Sequence, residues 1–383
     1  MKFVLITSQV INRRNYERFA LNQMEKHGSL TIIDITEMLY PKIFEIQIRN
    51  QMKDLDVIFV NQETKLKDAI AICESADLVI SLLGRLDERT TKVYKYLSRY
   101  SDRLCLIISG GFPSEWYGSR KNLFSRLTSK IYREKSFLGV FKKIYFILFN
   151  KVMKNPVYSR YILSSSRKNI DEFKDFFNQD TEVFSNCNYD YILSQKEHNK
   201  IIEDRYMVFL DENLIKHTDF VINNASVEDE EIYYEELSFL LEHIEKKYDL
   251  KVVVAAHPRS DISYTKRKLP RHEVILGETA GLVRFSEGCI NHASTSINFA
   301  VIYQKPICFV TSDRMLKSRP DNALLASWFD KKPINMSNIH DFDNLDAQFC
   351  LDEDTYKRYF HSFIAYSRDS IFGFDQIIER LQK

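Results

Sequence analysis

The chain has 383 residues, with 54 Lys and Arg against 53 Asp and Glu. This length predicts two domains, and the balanced charge argues against a strongly basic nucleic-acid-binding protein. Hydrophobic residues make up 44% of the sequence, which is enough for sizeable cores and excludes a mainly disordered chain.

The six cysteines are scattered, with no CxxC pair and no close cluster of Cys and His. This spacing argues against a zinc site or a disulfide scaffold and fits a reduced, cytoplasmic protein. The opening run MKFVLITSQV lacks the h-region and cleavage site of a signal peptide. No apolar run reaches the roughly 18 residues that a transmembrane helix needs. We therefore expect a cytoplasmic protein without a metal centre.

Short apolar runs alternate with amphipathic segments in the first part of the chain. The runs have the length of buried strands and lie at residues 3–6, 30–34, 57–60, 78–82 and 104–108. Helical-looking segments lie between most of them, at residues 13–27, 65–76 and 89–100. This alternation predicts βαβ units and a parallel sheet that is covered on both faces.

A strongly basic segment interrupts the pattern at residues 119–154. It contains ten Lys or Arg and one acidic residue, Glu134, interleaved with Leu, Ile, Val, Phe and Tyr. Such a basic amphipathic surface predicts contact with anionic head groups at a membrane surface. The alternative is a solvated basic helix whose apolar side packs on its own domain. The segment has no recognisable RNA-binding motif, so we expect no nucleic-acid partner.

A second alternating series follows. Its apolar runs lie at residues 161–163, 181–184, 207–210, 252–256, 274–276, 288–290 and 306–310, and a long amphipathic helix is predicted over 230–248. The polar run 194–204 marks a boundary. We therefore predict an N-terminal domain over residues 1–198 and a C-terminal domain over 199–383. Each is Rossmann-like α/β, and a cleft lies between them.

Three loops in the second half follow predicted strands. They are Asp211-Glu212-Asn213, His257-Pro258-Arg259-Ser260 and His292-Ala293-Ser294-Thr295-Ser296. Ligands bind at the carboxyl ends of strands in open parallel sheets. These three loops are therefore candidate binding segments.

The hydroxyl-rich loop and the histidine loop together suit a phosphate. Ser294, Thr295 and Ser296 enter a predicted helix, where hydroxyls and backbone N–H groups favour an anion, although Ser and Thr are also ordinary helix caps. His257 can stabilise leaving-group charge or donate a proton, although a single histidine is more often structural. Arg259 can pair with phosphate or carboxylate.

The segments VVVAAHPRS, GETA and HASTSINFA, followed by Lys-Pro-Ile, resemble bacterial transferases of CMP-activated sugars such as the sialyltransferases. The resemblance covers mainly residues 205–312 and implies a metal-independent, GT-B-like α/β enzyme that needs no cofactor beyond its nucleotide-sugar donor. It implies that His257 belongs to the His-Pro motif and that two of the residues 294–296 form the phosphate-binding hydroxyl pair. It also implies that Glu278, or the backbone beside Thr279, contacts cytidine.

An inverting transferase also needs a base for the acceptor hydroxyl. Candidates in the first half are Asp87 and Glu88, after the strand at 78–82, and Glu115. The alternative role for each is a surface carboxylate or a helix cap. In the second half, Asp211, Glu212, His217 and Asp219 are candidates for the interdomain side, where Asp211 or Glu212 would orient donor hydroxyls or His257.

We therefore expect an inverting glycosyltransferase that moves a nonulosonic acid, such as sialic acid or Kdo, from CMP to a surface glycan or glycolipid. The acceptor would belong to a capsule, an O-antigen or a lipooligosaccharide. Three alternatives remain. They are a CDP-polyol phosphotransferase of the teichoic-acid type, a UDP-sugar transferase, and a non-catalytic subunit that binds nucleotide sugars.

Overall fold

The computed structural model describes residues 1–84, 86–87, 89–108, 113, 157–186, 188–216, 229–365 and 373–383. The strands within these residues form two sheets, and all their neighbouring strands pair in parallel. The predicted α/β architecture with two parallel sheets is therefore confirmed.

The first sheet is built from the N-terminal half. Its strands are β1 (Lys2–Thr7), β2 (Ser29–Asp34), β3 (Asp56–Phe59), β4 (Leu78–Ser81), β5 (Leu104–Ile108), β6 (Tyr161–Ser164) and β7 (Glu182–Ser185). Their order is β3-β2-β1-β4-β5-β6-β7. The direction of winding therefore reverses between β1 and β4, and ligands bind at such reversals in open parallel sheets.

Helices connect these strands. Those of the described residues are α1 (Arg13–Arg18), α2 (Leu21–His27), α3 (Thr36–Leu39), α4 (Pro41–Gln47), α5 (Glu63–Ala71), α6 (Thr91–Leu97) and α7 (Arg167–Ile170), with 3-10 turns at Ile48–Asn50, Ile72–Ser75, Ser98–Arg103 and Asp171–Phe176. The predicted helical stretch 13–27 is divided into two helices. Ala20 causes this break, because its φ of 53° places it in the left-handed region.

The second sheet repeats the same plan. Its strands are β8 (Tyr206–Leu210), β9 (Lys251–Ala256), β10 (Glu273–Leu276), β11 (Gly288–Asn291), β12 (Ile307–Thr311) and β13 (Ile334–Asn335). Their order is β10-β9-β8-β11-β12-β13, so the reversal lies between β8 and β11. The two-residue strand β13 was not predicted, since it is too short to show a hydrophobic period.

The helices that follow the first sheet are α8 (Tyr189–Ser194), α9 (Glu230–Tyr248), α10 (Ile262–Lys268), α11 (Thr279–Phe285), α12 (Ile297–Ile302), α13 (Asp313–Ser318), α14 (Pro320–Ser327), α15 (Leu345–Gln348), α16 (Glu353–Tyr359) and α17 (Gly373–Leu381), with 3-10 turns at Leu214–Lys216 and Ile339–Asn344 and a π-helical turn at Phe360–Ile364. Helix α9 confirms the prediction over 230–248. Asp229 caps its first turn, Lys246 and Lys247 lie in its last turn, and its apolar stripe is buried.

Apolar side chains cover both faces of each sheet. In β1, Val4 and Ile6 pack into one layer and Phe3 and Leu5 into the other. This alternation follows from the two-residue period of a strand, and burial on both faces explains why the strands are continuous apolar runs. The second sheet likewise has a layer on each face.

The final helix returns to the first sheet. Phe374, Ile377 and Ile378 of α17 are buried in the same layer as Phe3, and the rings of Phe3 and Phe374 are 5.6 Å apart. A Cβ atom at Gly373 would lie 2.3 Å from the carbonyl oxygen of Ser185, so glycine allows this close approach. The domain boundary after residue 198 stays a prediction, and the end of the chain contributes to the N-terminal core.

Candidate functional site

Four strand ends bring the predicted loops of the second half to one edge of the sheet. Asp211 follows β8, His257 follows β9, Glu278 follows shortly after β10, and the segment 292–296 follows β11. Because β8 lies between β9 and β11, the histidine loop and the hydroxyl loop are placed on either side of Asp211. The second sheet reverses its winding here.

Asp211 organises the loop that contains His257. Its Oδ2 accepts hydrogen bonds from the backbone N–H of His257 at 3.5 Å and from the hydroxyl of Ser260 at 3.2 Å. Its Oδ1 accepts a 2.8 Å bond from the N–H of Asn213. Burial raises the pKa of Asp211, although these three donors favour the ionised form. The structure thus gives Asp211 a positioning role, and its predicted contact with the donor stays a prediction.

The loop also fixes the tautomer of His257. The backbone N–H of Arg259 donates a 3.1 Å hydrogen bond to Nδ1 of the imidazole. An acceptor nitrogen has no proton, so the neutral ring bears its proton on Nε2. The N–H of Ser260 donates a 2.8 Å bond to the His257 carbonyl and closes the turn. His257 can therefore present an N–H donor to a phosphate oxygen, and the Arg259 side chain is exposed beside it.

The three hydroxyl residues after β11 differ in their surroundings. The Ser294 side chain is buried, and its hydroxyl accepts a 3.3 Å hydrogen bond from the N–H of Ser296. The N–H of Ser294 donates a 3.1 Å bond to Oδ1 of Asn291. Thr295 is exposed and Ser296 is half-buried. Thr295 and Ser296 are therefore the more accessible hydroxyls of the three.

His292 anchors this loop from the core. The ring is completely buried, its Nδ1 donates a 2.9 Å hydrogen bond to the Val310 carbonyl, and its Nε2 accepts a 3.1 Å bond from the Tyr233 hydroxyl. Burial lowers the pKa of His292. It is a neutral structural histidine that holds the end of β11 against β12.

The other residues of the second half that were predicted to contact the nucleotide-sugar donor lie in two different environments. Glu212 is buried and forms an ion pair with Arg319. This pair ties the loop after β8 to the segment before α14, which is an anchoring role. Glu278 is exposed and Thr279 is half-buried at the start of α11. Their predicted contact with cytidine stays a prediction.

In the first half, Asp87 caps a turn before α6. Its Oδ1 accepts hydrogen bonds from the N–H groups of Arg89 at 2.9 Å and Thr90 at 2.8 Å, and from the Thr90 hydroxyl at 3.0 Å. The side chain is exposed near the end of β4, which adjoins the reversal of the first sheet. Asp87 therefore makes the contacts of a capping residue, which was the alternative role. Its role as the catalytic base stays a prediction.

Several predicted features lie outside the described residues. They are Glu88, Glu115, His217, Asp219 and the basic segment 119–154. Among the described residues, no group of three or more His, Cys, Asp or Glu side chains could hold a metal ion. In that part of the chain, no helix combines the length and the apolar character that crossing a bilayer requires.

Sequence reasoning missed a charged cluster between the two halves. Arg18 of α1 interacts electrostatically with Arg14, with Asp190 of α8 and with Arg259. Asp190 Oδ2 accepts a 2.8 Å hydrogen bond from Nδ2 of Asn298 in α12. Burial raises the pKa of Asp190, and it lowers the pKa of Arg18 to about 10. The one signal in the sequence was the pair of arginines four residues apart just after the first strand.

Solved structures with this architecture include nucleotide-sugar enzymes. The S. aureus MnaA–UDP complex has a TM-score of 0.52 and 11% identity, covering 100% of this chain and 96% of that one. A putative UDP-N-acetylglucosamine 2-epimerase from Listeria monocytogenes has a TM-score of 0.51 and 13% identity, covering 99% and 94%. CalG4, the calicheamicin glycosyltransferase, has a TM-score of 0.50 and 11% identity, covering 93% and 91%.

These similarities extend over both halves, and they show that the chain has the predicted GT-B-like α/β fold. No protein-family model matches the chain, and no curated protein matches it in sequence. Identities this low establish the fold alone, because one fold hosts many chemistries. The function must therefore be argued from the side chains at the two sheet reversals.

Proposed function

We propose that the chain is a glycosyltransferase that uses a nucleotide-sugar donor, and that the donor is a CMP-activated nonulosonic acid. The position of the His257 loop and the Ser294–Ser296 loop, at the ends of the two strands that flank β8, carries this proposal. The two loops combine an imidazole N–H donor with hydroxyls that remain accessible at residues 295 and 296. These are groups that hydrogen-bond a phosphate.

The chemistry assigned to the site is a single displacement. The acceptor oxygen attacks the anomeric carbon, the bond from that carbon to the phosphate oxygen breaks, and its electron pair leaves with CMP. His257 would stabilise the charge that develops on the leaving phosphate through Nε2–H. The proton of the acceptor hydroxyl would pass to a carboxylate, for which Asp87 and Glu88 are the proposed bases.

Cationic and hydrogen-bonding side chains would take the place of a metal ion at the leaving phosphate. Arg259 lies in the His257 loop and can pair with phosphate through its planar guanidinium. We therefore propose a metal-independent reaction. The acceptor would be a surface glycan or glycolipid, and the basic segment 119–154 would bring the enzyme to the inner-membrane surface.

A UDP-sugar enzyme is the second candidate, because a structure with this fold contains UDP. The two candidates differ in the nucleobase that the nucleotide site binds, which is cytosine in one and uracil in the other. A CDP-polyol phosphotransferase would share the CMP portion of the donor, and it would differ from the leading proposal in the group transferred. A non-catalytic subunit would bind the nucleotide without turnover.

A thermal-shift titration with CMP, CDP, UDP and GDP, in EDTA and again in Mg²⁺, separates these candidates. A ligand at about 100 times its dissociation constant adds about 2.7 kcal/mol to the free energy of unfolding. We expect stabilisation by CMP in EDTA, and its loss in His257→Ala. His340→Ala is the matched control, since His340 is exposed and belongs to the segment after the outermost strand β13.

Turnover is then measured as CMP release from CMP-N-acetylneuraminate or CMP-Kdo in the presence of glycan acceptors. We expect His257→Ala to lower the rate by about 100-fold or more, with His340→Ala unchanged. Stabilisation by UDP alone would replace the CMP assignment with the UDP-sugar candidate. Binding of CMP without any turnover across donors and acceptors would favour the non-catalytic subunit.

A further inference from the structure

Helix α1 contains two pairs of charged residues that are four positions apart, and the two pairs differ in the sign of their charges. Arg13 and Glu17 are four residues apart and form an ion pair of 2.8 Å. Arg14 and Arg18 occupy the same spacing with like charges, and such a pair is ordinarily unfavourable on a helix. The Arg14–Arg18 pair therefore places two positive charges on one side of α1, where their repulsion does not stabilise the helix.

The Arg14–Arg18 pair lies close to charged groups from other parts of the chain. The Tyr189 hydroxyl in α8 donates a 3.3 Å hydrogen bond to Oε2 of Glu17 in α1, so α1 lies beside Asp190. Arg14, Asp190 and Arg259 are the charged groups that act most strongly on Arg18. Arg259 belongs to the His257 loop at the end of β9, and α1 follows β1 at the reversal of the first sheet. Guanidinium groups from both sheet reversals therefore approach one another, with Arg18 partly buried and Arg14 and Arg259 exposed. An added anion would interact more strongly with the partly desolvated Arg18 than with an arginine in water.

Asp190 is the acidic member of this cluster, and a hydrogen bond from Asn298 holds its carboxylate in place. Asn298 donates from Nδ2 to Asp190 Oδ2, which assigns the amide orientation. Asn298 is 1% exposed, and its Oδ1 has no hydrogen-bond partner among the described residues. A buried acceptor without a partner is unfavourable, so a hydroxyl-bearing ligand or a water would complete this position.

We propose that Arg14 and Arg18, together with Arg259, which this site would share with the leaving phosphate, form a composite anion site across the two halves. Asp190 would be the internal counter-ion that an incoming anion partly replaces. The ligand of this site would be the second anionic group of the donor, beyond the phosphate attached to the nucleoside. That identification rests on the proposed function. The second group is a carboxylate in a CMP-nonulosonate and a phosphate in a nucleoside diphosphate.

The experiment measures dissociation constants calorimetrically on the full chain, with inorganic pyrophosphate, CMP, CDP, UDP and CMP-N-acetylneuraminate. The variants are Arg18→Gln, Arg14→Gln and Asp190→Asn, with Arg13→Gln as the matched control on the same helix. Arg14 is exposed, so its variant tests the site even if replacing Arg18 impairs folding. Hydrogen bonds to charged groups predict a loss of about 10- to 100-fold for each lost arginine contact.

We expect CDP or CMP-N-acetylneuraminate to bind more tightly than CMP, and this gain to disappear in Arg18→Gln and Arg14→Gln while CMP itself is little affected. The probe that shows the gain identifies the second group as phosphate or carboxylate. Asp190→Asn should tighten binding of pyrophosphate and of that probe by several-fold, because it removes the competing carboxylate. Arg13→Gln should match the wild type.

Two results would overturn the composite site. One is unchanged affinity for every probe in both arginine variants, which would leave the proposed donor site standing if nucleotides still bind. The other is weakening by Asp190→Asn equal to that of Arg18→Gln, because the aspartate would then support binding rather than oppose it. Arginine-dependent binding of pyrophosphate without binding of any nucleotide would support the anion site and remove the proposed donor.

Discussion

The buried histidine below the hydroxyl loop predicts a specific loss of stability in mild acid. His292 is 0% exposed, donates from Nδ1 to the Val310 carbonyl and accepts at Nε2 from Tyr233. Protonation of the ring would remove the Nε2 acceptor and place a charge in the core, and burial accordingly lowers the pKa of His292. The folded state therefore favours the neutral ring.

The sign and the size of the effect follow from proton linkage. The unfolded chain binds a proton at His292 with a pKa of about 6.5, while burial gives the folded chain a lower pKa at this ring. This stabilising contribution is complete above that pH and is lost as the pH falls through it. If the folded ring stays neutral to pH 5, the free energy of unfolding falls by about 1.9 kcal/mol between pH 7 and pH 5.

Urea unfolding at several pH values between 7 and 5 measures this contribution in the wild type and in His292→Asn. Asparagine retains an N–H that can donate to Val310 and does not titrate. Trp328 follows α14 and reports on the second half, and Trp116 is replaced by Phe in all samples so that fluorescence comes from Trp328 alone. The wild type should lose more stability than the variant, by up to about 1.9 kcal/mol. Parallel pH dependence of the two proteins would refute the buried neutral histidine.

Three further substitutions test the anchoring roles. Glu212→Gln should cost about 3–5 kcal/mol in urea unfolding because it leaves Arg319 in a mostly buried place without its carboxylate, and Glu212→Gln/Arg319→Met should cost less than the two single changes together. Because burial raises the pKa of Asp211, protonation of this carboxylate as the pH falls should stabilise the folded wild type. Asp211→Asn should remove this contribution, and urea unfolding at pH 7 and pH 4 measures the difference between the two proteins. Phe374→Ala should destabilise the first half by about 3–5 kcal/mol, with earlier amide exchange in β1 than in β8, if α17 belongs to that core.

The sheets were largely predictable because most strands are short apolar runs between turn signals. The run 104–108 has the same bounds as β5, and the run 252–256 lies within β9, which begins one residue earlier at the exposed Lys251. This agreement follows because strands covered on both faces are almost continuously apolar. The loops at the carboxyl edge follow from the same reasoning. His257 and Ser294 could therefore be singled out without coordinates.

The interdomain cluster could not be predicted, since its members are far apart along the chain. Arg18 is one of several charged residues on a polar helix, and its spacing from Arg14 does not show which groups of the other half it faces. Only the approach of Asp190 and Arg259 gives it a special environment. The return of α17 to the first sheet is equally nonlocal, because an amphipathic terminal helix carries no information about which sheet it covers.

Under the proposed function and the proposed anion site, the two halves would contribute differently to binding. The His257 and hydroxyl loops belong to the second sheet alone, whereas the arginine cluster includes residues from both halves. A ligand that contacted only these loops would have no differential affinity for a closer approach of the halves, so it would not favour that approach. A ligand that also contacted Arg14 and Arg18 would have that preference. Under the proposed function, an intact donor would therefore favour the approach that brings the acceptor-side residues of the first half to the reacting carbon, and CMP after transfer would no longer do so.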